Sequence, residues 1–221
     1  MTQEAMIPKM KRLDKRQRKI KIPVINIALI LFSILMLIAS TFINISLHHY
    51  IIPTDLFTNK SLTGEDFVYC FNIIPQIPVL MFILSVLGKR MTVTSVILYI
   101  LCGLTIAPIF ALGGGIRYLA EFGLGYILGY IPAVVIAGNI LKKSYSFPNM
   151  IKASVLGVLT IHMLGIIYMI FIALIKHAGI PFVTGWIGAQ SGLKIIYDIV
   201  ISFVLILIGK YIHEFIKFIS D

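Results

Sequence analysis

The sequence predicts an all-α integral membrane protein of six transmembrane helices with both termini in the cytoplasm. Three observations carry this. Of 221 residues, 59% are hydrophobic and only 13% are charged, at a mean hydropathy of +0.99, whereas soluble domains carry roughly 25% charged residues. Apolar windows of about 20 residues, the length that crosses a hydrocarbon core about 30 Å thick, recur six times. Lys and Arg fall mainly on one side of the weave these windows imply.

The predicted spans run from Pro23 to Leu47, Phe67 to Gly88, Met91 to Leu112, Gly123 to Leu141, Met150 to Ile175 and Gly192 to Ile212. A basic segment, residues 1–22, precedes the first span and holds eight of the nineteen Lys and Arg between Lys9 and Lys21. It reads as a juxtamembrane topology signal attracted to anionic headgroups rather than a nucleic-acid patch. Because it runs into the apolar segment without a small-residue cleavage site, the first span is expected to stay in the mature protein. The breaks between later spans are LGKRMT, a glycine-rich stretch, KKSYSFPN and KHAGIPFVTGW, with a longer polar connection from His48 to Asp66. Cys70 and Cys102 fall in apolar runs and read as small core residues.

With the N-terminus inside, the cytoplasmic side collects fifteen Lys and Arg; the other side has only Lys60, Arg117, Lys176 and Lys194. The glycine-rich stretch LGGGIRYLAEFGLGYILGY therefore faces outward, and with it come Arg117, Glu121, Lys194 and Asp198. A charge within the hydrocarbon zone costs several kcal/mol unless it pairs or lines a polar cavity, so each of these residues needs a reason. Arg117 reads either as a snorkelling interfacial cation or as a fixed cation aimed at an anionic ligand by the flexible glycines before it; Glu121 is spaced to pair with it. Lys194 and Asp198, also at i and i+4, either neutralise each other or serve a ligand. His162 inside the fifth span hydrogen-bonds a neighbouring helix or a ligand, and Gln76, between Pro75 and Pro78, satisfies a carbonyl freed by a proline kink or reads a ligand.

Gly125, Gly129, Ala133 and Ala137 recur every four residues as a stripe for close helix approach within the bundle. Trp186 reads as an interface-belt residue. No GxxxxGK[ST], HExxH, GxSxG or paired Cys-x-x-Cys motif is present, so the sequence carries no sign of ATP hydrolysis, metal or catalytic chemistry of those kinds.

The run LYILCGLTIAPIFALGGGIRYLAEFGLGYILGYIPAVVIAGNIL resembles the signature region of the BioY family, the biotin-binding S components of energy-coupling-factor (ECF) transporters. In that family a helix ending in GLP-x-F leads to a glycine-rich turn and a GG-x-x-Y-x-x-x-P-T-x-GYLLGF pattern. Gly114, Gly115, Tyr118, Gly125, Tyr126 and Gly129 match it, with Gly103, Leu104, Pro108 and Phe110 a looser fit. Gln76 falls where the family often has glutamine, and VLTIHMLGIIYMI resembles the family's fifth helix. The likeness covers roughly residues 66 to 210. It departs at Phe122 and Gly123, where the family has Pro-Thr, and at AQSGLK, where Lys194 is kept but Ser191, beside Gln190, replaces an aspartate.

The resemblance implies an S-component-like bundle over residues 23–221 that captures biotin as a transported substrate, with no cofactor and no catalysis, in the plasma membrane. The implied partners are a transmembrane coupling subunit and ABC ATPases, in a lipid bilayer and without nucleic acid. Biotin offers a carboxylate, an apolar body and a ureido group. The expected site has Arg117 or Lys194 on the carboxylate, Tyr118 and Tyr126 as the wall, and Gln76, His162 and Gln190, with Ser191, toward the ureido ring. The Gly113 to Glu121 loop is expected to cover it as a mobile lid, with Gly114 and Gly115 among the ligand-binding residues. An S component for another small acid, such as lipoate or a biotin precursor, and an intramembrane lipid-modifying enzyme remain the alternatives.

Overall fold

The computed structural model describes residues 24–50, 52 and 63–220. The basic segment 1–22 and Lys60 lie outside the described residues. In chain order the elements are α1 (Val24–Thr41), β1 (Ile45–Tyr50), β2 (Val68–Ile73), α2 (Gln76–Thr105), α3 (Leu124–Leu128), α4 (Tyr130–Leu141), α5 (Phe147–Ile175), α6 (Ile180–Ser191) and α7 (Lys194–Ser220). Short 3-10 turns occupy Gly64–Phe67 and Ile116–Ala120. Among the described residues five segments are long and apolar enough to cross a bilayer: α1, α2, Leu124–Leu141, α5 and Ile180–Ile216.

Two of the six expected spans are thus merged in α2, yet α2 is not straight. Gly88 sits at φ 75°, ψ 169°, a backbone region open essentially to glycine. It divides the helix into arms 76–87 and 89–105, and Gln76 on the first arm hydrogen-bonds Tyr99 on the second at 2.7 Å. In a continuous helix those residues would stand roughly 35 Å apart at 1.5 Å per residue. The arms therefore fold back on each other around the glycine.

Other boundaries also differ from expectation. The ends expected for the first two spans instead form an antiparallel ribbon, Ile45 opposite Ile73 through Tyr50 opposite Val68, whose β-branched and aromatic residues suit strands. Cys70 is exposed on it rather than in a core. Because α2 begins at Gln76 with Pro75 as its N-cap, Pro78 lies in the first turn, where a missing N–H breaks no helical bond. Gln76 therefore has no kink to repair. The third span stops at Thr105, ahead of Pro108, which disfavours helical backbone in the residue before it. The connection expected at 176–190 contains α6, started by Pro181 in its first turn and separated from α7 by Gly192 at ψ −115°.

The bundle has an apolar core with polar side chains buried within it, and its outside is covered by large apolar side chains. Ser85, Thr92, Ser95, Ser154, His162, Asp198 and Ser202 are buried, while Phe32, Leu35, Met163, Ile167, Phe171 and Leu174 are exposed. This is the distribution lipid demands. The buried hydroxyls of Ser33 and Thr41 on α1 bond back to the carbonyls of Leu29 and Leu37 at 2.7 and 2.9 Å. The small-residue stripe packs α3 and α4 onto α5: a Cβ at Gly129 would sit 3.0 Å from the Ile161 Cα.

Gly88→Ala meets no atom within 4 Å, so its penalty isolates the backbone: about 1–3 kcal/mol of strain. A lowered unfolding midpoint in detergent is expected, against no loss for Gly185→Ala in α6, which also has open space around it. Equal midpoints for the two variants would contradict the reversal at Gly88.

Candidate functional site

Two polar knots face each other across one end of the bundle, and a cavity of about 110 Å³ opens between them. The first knot is Gln76. Its Nε2 donates to the Tyr99 hydroxyl at 2.7 Å and the Thr41 hydroxyl at 3.2 Å, and its Oε1 accepts from the Tyr130 hydroxyl at 2.8 Å. Both amide hydrogens are spent on protein, but one lone pair of Oε1 remains. Gln76 can therefore accept one more hydrogen bond and donate none.

The second knot is His162, 1% exposed on α5. Its Nε2 lies 3.2 Å from Asp198 Oδ2 and its Nδ1 2.9 Å from Ser191 Oγ. With the carboxylate as acceptor, Nε2–H donates and Nδ1 accepts from Ser191, which in turn accepts from the Tyr126 hydroxyl at 2.7 Å. The chain Tyr126, Ser191, His162, Asp198 thus joins α3, α6, α5 and α7. Tyr126 also meets the His162 ring edge-on at 5.6 Å between centroids. Gly165 leaves room for the Tyr126 ring, since a Cβ there would sit 2.5 Å from ring carbons. Asp198, fully buried, is held by His162 and not by Lys194, so the expected i, i+4 pair does not form.

The turn before α3 supplies the third wall. Gly113 and Gly115 adopt φ of 121° and 80°, and the Gly115 amide donates to the Gly103 carbonyl at 2.8 Å. Gly114 lies so close to Pro108 that a Cβ would sit 2.6 Å from its Cα. These glycines form a reversal packed against the end of α2. The reversal sets Tyr118, 4% exposed, against Phe110 at 4.8 Å between rings, and Phe110 against Tyr99 at 5.4 Å. Burial pushes the Tyr118 phenol above its ordinary range, so it stays a neutral donor.

Of the residues expected from sequence, Gln76, Tyr118, Tyr126, His162, Gln190 and Lys194 line the cavity. Ser191 stands behind Tyr126 and His162, and Gly114 and Gly115 shape the turn. Arg117 is exposed and outside the lining. Its expected partner Glu121 instead meets Lys176, at 3.9 Å, and that ammonium also sits 4.7 Å over the Phe122 ring. Sequence reasoning missed Tyr130 and Trp186, which both line the cavity. Tyr130 stands one turn after Tyr126, a spacing that marks a shared face. Trp186, given to the lipid interface, packs instead 6.0 Å from both Tyr126 and Phe122.

Lys194 is the one cation among the lining residues, beside amides, phenols and an imidazole on an otherwise apolar and aromatic wall. Such a set suits a small molecule with an anionic end, an apolar body and a polar head. Fold and site together describe a helical membrane protein with a cavity lined by polar and aromatic side chains at one end of its bundle. The chain belongs to the BioY family, whose sequence profile matches residues 10–218. A protein of Lysinibacillus sphaericus described as a probable biotin transporter BioY is 31% identical over 85 residues, 38% of this chain and 43% of that relative. The match thus spans less than half of the relative's length. The crystal structure of an S-component for biotin from an ECF-type ABC transporter has the same fold, with a TM-score of 0.61 at 18% identity over 86% of this chain and 92% of that one.

The two knots differ in what they leave behind when cut. Tyr130→Phe removes one donor to Gln76 and is expected to cost about 1 kcal/mol, whereas His162→Ala strands buried Asp198, for about 1–3 kcal/mol. Unfolding midpoints in detergent should therefore fall further for His162→Ala. A wild-type midpoint in that variant would contradict the knot.

Proposed function

We propose that this protein is the substrate-capture S component of a biotin uptake transporter. The observation that carries the reading is the cavity, in which side chains from positions as distant as 76 and 194 converge on one space in a BioY-family fold. Lys194 takes the biotin carboxylate. Tyr126 and Trp186 flank the apolar body, the spare lone pair of Gln76 Oε1 accepts a ureido N–H, and Gln190 donates to the ureido carbonyl. Gln190 with Ser191 thereby stands in for the aspartate of the family pattern. Biotin is cargo in this scheme, neither cofactor nor reactant, and no covalent step is asked of the chain.

The chain crosses a bacterial plasma membrane six times, with both termini in the cytoplasm. Support comes from the reversal of α2 at Gly88, which turns one long segment into two crossings. Charge distribution supports the orientation: Lys89, Arg90, Lys142, Lys143, Lys152 and Lys210 gather at the end away from the cavity. Delivery across the membrane relies on a transmembrane coupling subunit and ABC ATPases, because the chain has no nucleotide-binding motif of its own.

Titration of the purified protein in detergent with biotin, then desthiobiotin and lipoate, tests the reading. Saturable, one-to-one biotin binding stronger than that of either analogue is expected. Preference for lipoate, or no binding by a sample that unfolds cooperatively, would overturn biotin as cargo.

A further inference from the structure

At the opposite end of the bundle a second, larger cavity of about 400 Å³ lies between the Gly88 reversal and the end of α4. Its polar lining is cationic: Lys89, Arg90 and Lys142, with Tyr145 beside them and no carboxylate among the lining residues. Among the described residues only Lys89 of these cations has a side-chain acceptor, Asn139 Oδ1 at 2.6 Å, which is neutral. The carboxylate of Glu214 at this end is engaged by Lys210 at 3.8 Å. Arg90 and Lys142 form no ion pair among the described residues.

Lys89 is half-buried while Arg90 and Lys142 are exposed, so water screens part of their mutual repulsion and a bound anion would relieve the rest. The site is nevertheless built rather than loose. Its apolar floor includes Leu84, Leu87 and Leu141. The Tyr145 hydroxyl donates to the Ser85 carbonyl at 2.9 Å, and the Tyr145 ring stacks on His213, whose Nδ1 reaches the Val86 carbonyl at 2.9 Å. Gly138 lets Lys89 lie flat, since a Cβ would sit 2.9 Å from the lysine Cβ. The arm 89–105 starts at the cavity while the arm 76–87 and α4 end there, so one positive dipole end meets two negative ones and the cationic side chains alone supply the positive field. A cavity of this kind, at the level where a span gives way to headgroups, combines apolar floor and cationic rim in the order that a phospholipid presents chain and phosphate.

We propose that this cavity binds the phosphate of an anionic phospholipid headgroup, held by Lys89, Arg90 and Lys142. The lipid clamps the reversal of α2 to the end of α4 and stabilises the bundle. The same phosphate chemistry is available from a soluble phosphate monoester, and the apolar floor favours the lipid.

The test measures the unfolding midpoint of purified protein in detergent after addition of phosphatidylglycerol, phosphatidylcholine or glycerol 1-phosphate, together with the number of lipids retained in native mass spectrometry. Phosphatidylglycerol should raise the midpoint by several degrees and remain bound, and phosphatidylcholine should do neither. The double variant Arg90→Gln/Lys142→Gln should lose at least half of the shift, while Lys143→Gln, outside the lining, keeps it. An equal shift with glycerol 1-phosphate would overturn the lipid as source and leave a soluble phosphate. Full lipid stabilisation in the double variant, or no stabilisation by any of the three, would overturn the site; the latter would leave the cations to an acidic segment of a protein partner. Because the readout is not biotin binding, its failure leaves the transport reading intact.

Discussion

The hydrogen bonds of the Gln76 amide are the constraint on which the rest of the structure depends. A primary amide buried to 7% exposure in an apolar bundle must find partners for two hydrogens and an oxygen. Gln76, on the first arm of α2, finds them on the end of α1, on the second arm of α2 and on α4. One side chain thus fixes how four helical segments meet at the cavity end, and it can do so only because Gly88 lets α2 turn back and deliver Tyr99. The function proposed for the cavity rests on that geometry, since the same amide offers its remaining lone pair to the ligand.

His162 applies the same logic to the other wall. Its two ring nitrogens are committed to Ser191 and Asp198, so it orders the cavity by holding α5, α6 and α7 together rather than by reaching into it with a free nitrogen. Asp198 Oδ1 and Ser202 Oγ, one turn apart on α7, are buried without protein partners. Groups left in that condition are costly. The two ends of the bundle are then opposite in character. Among the described residues the cavity end carries Lys194, the Asp198 carboxylate and a few surface charges, while the far end gathers Lys89, Arg90 and Lys142.

Much of this was legible in the sequence, for physical reasons that can be named. Lipid forces long apolar windows, so most of the spans were visible as composition. Intramembrane polar residues are expensive enough to stand out, which is why Gln76, His162 and Lys194 were noticed before their neighbours were known. The β1–β2 ribbon was hidden because ISLHHY and VYCFNI continue apolar runs, and hydropathy does not separate a strand from a helix end. α6 was hidden by Gly185 and Gly188, which lower helix propensity within a short segment. Arg117, left open between an interfacial and a ligand role, lies exposed outside the cavity lining, because a charge beside a glycine-rich turn signals a bend without giving the direction in which the side chain leaves it. Ser191 looked like a weakened ligand contact when compared with an aspartate, and its actual neighbours, Tyr126 and His162, lie 65 and 29 residues away in sequence.

The account turns on Lys194 as the cation that reads the carboxylate, and the most direct measurement compares affinity for biotin and for biotinamide, which lacks that charge, in the wild type and in Lys194→Met. A charged hydrogen bond worth about 1.5–3 kcal/mol predicts that the wild type prefers biotin by roughly 10–100-fold. The variant should bind the two ligands about equally. A variant that kept the full preference for biotin would contradict the assignment of the carboxylate to Lys194 and, with it, the proposed orientation of the ligand between the two knots.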